Sequence, residues 1–232
     1  IRLGGEVHFR TALTGIIQKN GRLTGILADG QEIACEQLIL AIGHSARDTF
    51  VRLHDCGLRM EPKPFSVGAR IEHLQSAIDR ARYGRAAGHP ALPPAEYTLS
   101  HRQNGRACYS FCMCPGGVLV PSETEPETIV MNGMSNSARS GKFANAGVVV
   151  QINPEDIPEE YTDKGAFAGL EFQKDVERKM WEYAHEHSDS ENPFVAPAQR
   201  MVDFCEGEDS EDLPETSYKP GVVPAPLHEI LP

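Results

Sequence analysis

From Leu38 to Ile42 five apolar residues stand in unbroken succession, bounded by Glu36-Gln37 on one side and Gly43 on the other. The run is too short for a helix, and it predicts a strand buried on both faces, the kind found in parallel sheets. After Gly43 the pattern turns polar. Ser45 is placed to cap the N–H of Asp48, whose carboxylate can reach back, so a helix is expected from Ala46. That helix would carry Phe50 and Val51 inward and stop at Cys56-Gly57, with Gly57 as a left-handed cap. Upstream, Gly5 to Phe9, Leu13 to Gln18, Leu23 to Leu27 and Glu32 to Ala34 read as short strands. Asn20-Gly21 and Asp29-Gly30 separate the last three, and such pairs favour tight hairpins because both central residues need positive φ. The first 57 residues thus predict a β-meander feeding a buried strand, a glycine corner and a helix.

From Arg59 the texture changes. Pro62 and Pro64 precede a strand at Phe65 to Glu72, and a helical stretch follows near Leu74 to Arg82. Period-two alternation puts Phe65, Val67, Ala69 and Ile71 on one face and Ser66, Gly68, Arg70 and Glu72 on the other. A Gly-, Ala- and Pro-rich loop from Gly84 to Pro94 joins two pieces of one domain. Further strands are expected at Ala107 to Met113 and Val148 to Val150. A long helix from about Ala168 to His187 carries the apolar stripe Phe172, Val176, Met180 and Tyr183, widened by the adjacent Trp181. His185 and His187 sit where cations favour a helix C-terminus. The segment Tyr218 to Pro232 is a proline-punctuated connection. The sum is an α+β chain in two domains, residues 1–57 and 58–232.

Three places can carry chemistry. A strand ending in Gly43 at a helix N-terminus is a common cofactor-binding corner, because glycine permits close backbone approach and the helix end offers free N–H groups. Arg70 either reaches into a cleft or pairs with a carboxylate at the sheet surface. On an unbroken strand, Cys108, Ser110, Cys112 and Cys114 share one face. Cys108 and Cys112 would then lie about 13 Å apart, too far for a disulfide, and Cys112 and Cys114 about 6.6 Å apart, joinable only with strain. Pro115-Gly116-Gly117 can bend the strand and bring the latter pair closer. Core packing, a redox-active or pocket-lining thiol, and metal or iron–sulfur ligation all remain open for this row. The stretch Asn132 to Asn145 is rich in Gly, Ser and Asn and carries Arg139 and Lys142. Read as a loop, it can surround an anion or form an ordinary surface turn.

Composition narrows the partners. The formal net charge of −11 disfavours nucleic acid and anionic membranes, both of which need a basic face. With 40% hydrophobic and 24% charged residues, the chain can bury one large core or two small ones. No apolar run approaches the roughly 20 residues needed to span a bilayer, and no leader is evident, which reads as a cytoplasmic protein. Six cysteines do not make a disulfide framework here, and Cys35 and Cys56 are expected as small core residues. The nine histidines form no ligand constellation, and no metal is expected.

LILAIGHSARDTF at 38 to 50, PFSVGARIEH at 64 to 73, CYSFCMCPGG at 108 to 117 and NGMSNSARSGKFANAG at 132 to 147 carry a resemblance. They resemble a bacterial group of FAD-dependent dehydrogenases within the glutathione-reductase type of flavoproteins. The resemblance implies an FAD-dependent oxidoreductase moving hydride or electrons between a small substrate and flavin, with NAD(P) as an optional second nucleotide. It places Gly43 and His44 near the flavin. It puts Asn132, Ser135, Asn136 and Arg139 in a flavin or substrate loop, Cys112 and Cys114 at the reacting face, and Arg70 as a substrate anchor. The GxGxxG unit and the late strand-Gly-Asp segment of such proteins are not found here. With an opening at Ile1 and an end at Pro232 that both read as mid-protein, the chain is expected to be an internal fragment, a substrate or cap domain carrying a remnant of an FAD-binding domain. The alternatives are a non-enzymatic binding module on this scaffold, or a thiol-based redox or metal protein centred on Cys108 to Cys114.

Overall fold

The computed structural model describes residues 2–123 and 125–231. The expected opening at Ile1 and the end of the last connection at Pro232 lie outside the described residues. The chain divides into two compact units, Ile1–Glu61 and Pro62–Pro232.

In the first unit, β1 (Leu13–Lys19), β2 (Arg22–Ala28) and β3 (Gln31–Ala34) form an antiparallel meander in that order. Both hairpin turns use the expected residues with positive φ, 53° and 73° at Asn20-Gly21 and 47° and 80° at Asp29-Gly30. Helix α1 (Arg47–Asp55) buries Leu53. It closes with Gly57 at φ 87°. The Leu58 N–H reaches the Leu53 carbonyl at 3.1 Å, and the Gly57 N–H reaches that of His54 at 2.8 Å, the paired bonds of a Schellman cap.

Five expectations for this unit are corrected. Residues 5–9 form no strand, and Val7 and Phe9 are exposed. Residues 38–42 form none either, and Ile39 is 91% exposed. A parallel strand needs neighbours whose backbone groups it can pair with. Among the described residues of this unit the only sheet is the β1-β2-β3 meander, so the apolar run is left without a ladder. Helix α1 has no side-chain cap: the Ser45 hydroxyl lies 3.2 Å from the His44 ring instead. Val51 and Cys56 point to solvent, and Cys35 is only half-buried.

The second unit is built on a four-stranded antiparallel sheet ordered β4 (Phe65–Leu74), β9 (Phe143–Ile152), β6 (Arg106–Cys114), β5 (Ser100–Gln103). Helix α2 (Gln75–Tyr83) follows β4 without a break. A separate hairpin pairs β7 (Gly117–Pro121) with β8 (Met131–Ser135). Half of the expected Asn132–Asn145 loop is therefore strand, and β9 begins well before Val148. Alternation along β4 holds as read from the sequence. Phe65 and Val67 pack with Ile152, Tyr161 and Phe172 on one face, while Arg70 makes its bonds on the other.

Helix α3 (Ala168–Glu186) ties two cores together. Its Phe172 and Val176 pack on the sheet. One turn on, Met180 and Trp181 join Leu119, Ile129, Ala196 and Tyr218 in a second cluster. Beyond it, Ala184 meets Val195 and Val223. There β10 (Ala196–Ala198) and β11 (Val222–Pro224) pair in parallel around the short α4 (Met201–Glu206), and α5 (Leu227–Ile230) follows. The C-terminal stretch is fastened to the sheet by polar bonds. The Ser217 N–H donates to Glu72 Oε2 at 2.9 Å and its hydroxyl to Glu72 Oε1, while the same hydroxyl accepts from the Leu119 N–H at 2.8 Å.

Glu72→Ala leaves the buried Ser217 donors without acceptors, at a cost of about 2–3 kcal/mol. Urea unfolding of the second unit checks this; a change under about 0.5 kcal/mol would show that water replaces the carboxylate.

Candidate functional site

Strand β9 runs between β4 and β6, so its register decides which side chains meet. Arg70 and Phe111 both stand opposite Gly147, and Glu72 and Cys114 both stand opposite Asn145. From Phe111 to Cys114 is three steps along β6, but from Gly147 to Asn145 only two along β9. One extra residue is therefore bulged out of β6. The bulge falls at Cys112, whose φ is 48°. It reverses the alternation beyond it, so Cys114 lies on the Tyr109–Phe111 face and Cys108 on the opposite one. The expected row of three thiols is thus corrected: Cys108 is half-buried, Cys112 exposed and Cys114 buried.

The bulge turns the Cys112 carbonyl toward Arg70, which donates to it from Nη2 at 2.7 Å. The Arg70 Nε–H donates to Asn145 Oδ1 at 3.1 Å, and Nη1 reaches Asn132 Oδ1 at 3.4 Å. Cys114 Sγ lies 3.8 Å from Nη2. The three oxygen partners are uncharged. Asn145 is fully buried, and because its oxygen faces Arg70 its Nδ2 is left without a partner. Strand β8 lies over this cluster. A Cβ added at Gly133 would sit 1.9 Å from Asn145 Oδ1 and 2.9 Å from the Arg70 Cζ, so the cluster requires glycine at 133.

Arg70, Asn132, Cys112 and Cys114 therefore come together. Ser135, Asn136 and Arg139 do not join them. The Ser135 hydroxyl donates to the Pro115 carbonyl at 2.7 Å. Asn136 closes its own turn, accepting from the Arg139 N–H at 3.1 Å through its carbonyl and from the Ser140 N–H at 3.4 Å through its side chain. The Arg139 guanidinium pairs with Glu96. The turn is also held against Gly116, where an added Cβ would lie 2.0 Å from the Arg139 carbonyl oxygen. Gly43 and His44 belong to the first unit and are exposed. Gly43 has φ 73°, and an added Cβ there would meet nothing within 4 Å. Within the described residues of the first unit nothing closes around that corner as a cradle.

Residues 64–232 match the family described as FAD-dependent protein, C-terminal domain-like. The chain belongs to that family. The match covers nearly all of the second unit and ties the chain to flavin-dependent proteins. An uncharacterized protein of Clostridium beijerinckii is 40% identical over 235 residues, spanning 100% of this chain and 42% of the relative. The chain thus spans less than half the length of that relative. Among the described residues no helix is long and apolar enough to cross a membrane.

Asn145 is the residue of the cluster that sequence reasoning missed. Its signal was a carboxamide between Ala144 and Ala146 in a largely apolar strand, since a buried amide demands a partner. On the other face His73 was also passed over. Its Nε2 lies 2.8 Å from the Tyr97 hydroxyl, with the rings 5.5 Å apart. Burial holds the imidazole below the ordinary histidine value of 6.5 and raises the Tyr97 phenol, against a smaller opposing effect of Arg70.

Because His73 takes up its proton less readily folded than unfolded, its contribution to stability is present above pH 6.5 and is lost as the pH falls. Urea midpoints measured from roughly pH 7.5 to 5.5 should decline, and His73→Gln should flatten the decline; an unchanged slope in the variant would remove His73 as its source. At the bulge, Cys112→Gly should shift stability by no more than about 0.5 kcal/mol, whereas Cys112→Val should cost about 1 kcal/mol or more, since a β-branched residue resists this conformation. Equal effects in denaturant melts would show that the strand slips back into register.

Proposed function

We propose that this chain is part of an FAD-dependent oxidoreductase of the glutathione-reductase type, and that the Arg70 cluster lines its substrate side. The family match over residues 64–232 carries the reading. The geometry adds a fixed guanidinium whose oxygen partners are all neutral, next to an exposed thiol at Cys112 and a buried one at Cys114. In such an enzyme the bound flavin supplies the redox chemistry. What this chain supplies is orientation and polarity: Arg70 holds a small substrate and the sheet face excludes water beneath it. NAD(P) gains no support from the family description, which names FAD alone. A cytoplasmic location, and a small molecule rather than nucleic acid or membrane as partner, belong to the same proposal.

The thiol-centred alternative is weakened by the bulge. It puts Cys108 and Cys114 on opposite faces of β6, and among the described residues no three His, Cys, Asp or Glu side chains gather as metal ligands would. A binding module without catalysis stands as the competing reading.

The protein purified at its natural length should be yellow, and its visible flavin band should bleach under anaerobic dithionite. A colourless protein that takes up no FAD would overturn the oxidoreductase reading in favour of the binding module.

A further inference from the structure

Arg70 offers five N–H donors. Four are directed at Asn145, Asn132, the Cys112 carbonyl and Cys114 Sγ, and none of the three oxygen partners carries a negative charge. Among the described residues no carboxylate lies in ion-pair contact with Arg70, and the acid in the next row, Glu72, is engaged by Ser217. This half-buried guanidinium has no anionic partner and one N–H to spare on Nη1. Beside it, Asn145 Nδ2 is a second donor, buried and without an acceptor. A cation with a spare N–H and no anionic partner has room for an acceptor that the chain itself does not supply.

The row that contains Arg70 gives the shape of the ligand. Arg70, Gly147 and Phe111 stand side by side across three strands. At about 4.8 Å between strands, the Arg70 and Phe111 backbones are roughly 10 Å apart, with a glycine between them. The Phe111 ring leans toward that gap, its Cδ1 being 3.4 Å from where a Gly147 Cβ would lie, yet the residue is 59% exposed. Cation and open aromatic surface thus flank a floor without a side chain. An aromatic carboxylate meets both, its acid on the free N–H of the guanidinium and its ring against Phe111. A phosphate dianion fits less well. It would bring two charges to a site with one, among the oxygens of Asn132 and Cys112.

Deepening the function proposed above, on which it rests, we infer that the ligand held by Arg70 is a monocarboxylate with a planar apolar body. Arg70 binds its acid, Asn145 holds the guanidinium in place, and Phe111 receives its apolar part.

Benzoate is the probe, with benzamide as its neutral counterpart and inorganic phosphate as the competing anion, titrated into the full protein by NMR or calorimetry. Benzoate should bind about ten- to a hundredfold more tightly than benzamide, since one charged hydrogen-bonded contact is at stake. Phosphate should not displace it at equal concentration. Arg70→Met should remove the preference for benzoate over benzamide. Phe111→Ala changes an exposed side chain, so it tests the site even where Arg70→Met fails to fold, and it should weaken both aromatic probes while leaving acetate unaffected. Equal affinity for benzoate and benzamide, displacement by phosphate, or indifference to Phe111→Ala would each overturn the inference. A yellow protein that ignores benzoate sinks the carboxylate and leaves the flavoprotein standing. A colourless one that binds benzoate through Arg70 does the reverse.

Discussion

The antiparallel register of β9 between β4 and β6 is the constraint on which the second unit depends. Ten residues of β9 pair continuously with β4. On its other edge the pairing with β6 absorbs one extra residue at Cys112. A slip of one residue would turn Arg70 into the apolar core beside Phe172 and expel Val67 and Phe65 from it. Burial of that core therefore fixes the site as well as the fold. The bulge is tolerated because its carbonyl gains a charged donor in Arg70, which offsets the left-handed backbone at a non-glycine residue.

The unit has two further supports that do not run through the sheet. Helix α3 joins the sheet core around Phe172 to the second core around Met180, so neither small cluster stands alone. Gln75, buried at the start of α2, accepts from the Gly116 N–H at 2.8 Å and donates to the Ala95 carbonyl at 3.1 Å. It holds the turn after β6 against the loop that precedes β5. The site cluster is thus framed by strands on two sides and by polar clasps at its ends.

Much of the fold was legible in residue patterns. Asn-Gly and Asp-Gly marked both hairpins, Gly57 marked the end of α1, and of the stripe on α3 Phe172 and Met180 are buried and Val176 packs beside them, while Tyr183 stacks on His187. Alternation along β4 put Arg70 on the correct face. The bulge was not legible, because period-two counting assumes that every residue is paired, and nothing local in CYSFCMC announces the residue that is skipped. The apolar run at 38–42 failed for the opposite reason. Its side chains fit a buried strand, but strand formation is a property of pairs, and the described chain provides no partner. Asn132 and Arg139 looked alike as loop polars; the strand at β8 gives one to Arg70, and Glu96 neutralises the other. The roles of these residues in binding rest on the proposals above.

The clasp between Glu72 and Ser217 has a temporal side. The two residues are 145 positions apart, and Leu119 is joined through the same hydroxyl. Contacts of that span are closed only after most of the chain has been made, and loop-closure entropy sets a slow pace for them. During synthesis the four-stranded sheet can be complete while the face around Glu72 still waits for the segment that covers it. For that interval the nascent protein carries an unengaged carboxylate one row from the Arg70 guanidinium. Once Ser217 is in place, that carboxylate has the serine N–H and hydroxyl as its partners instead of open solvent.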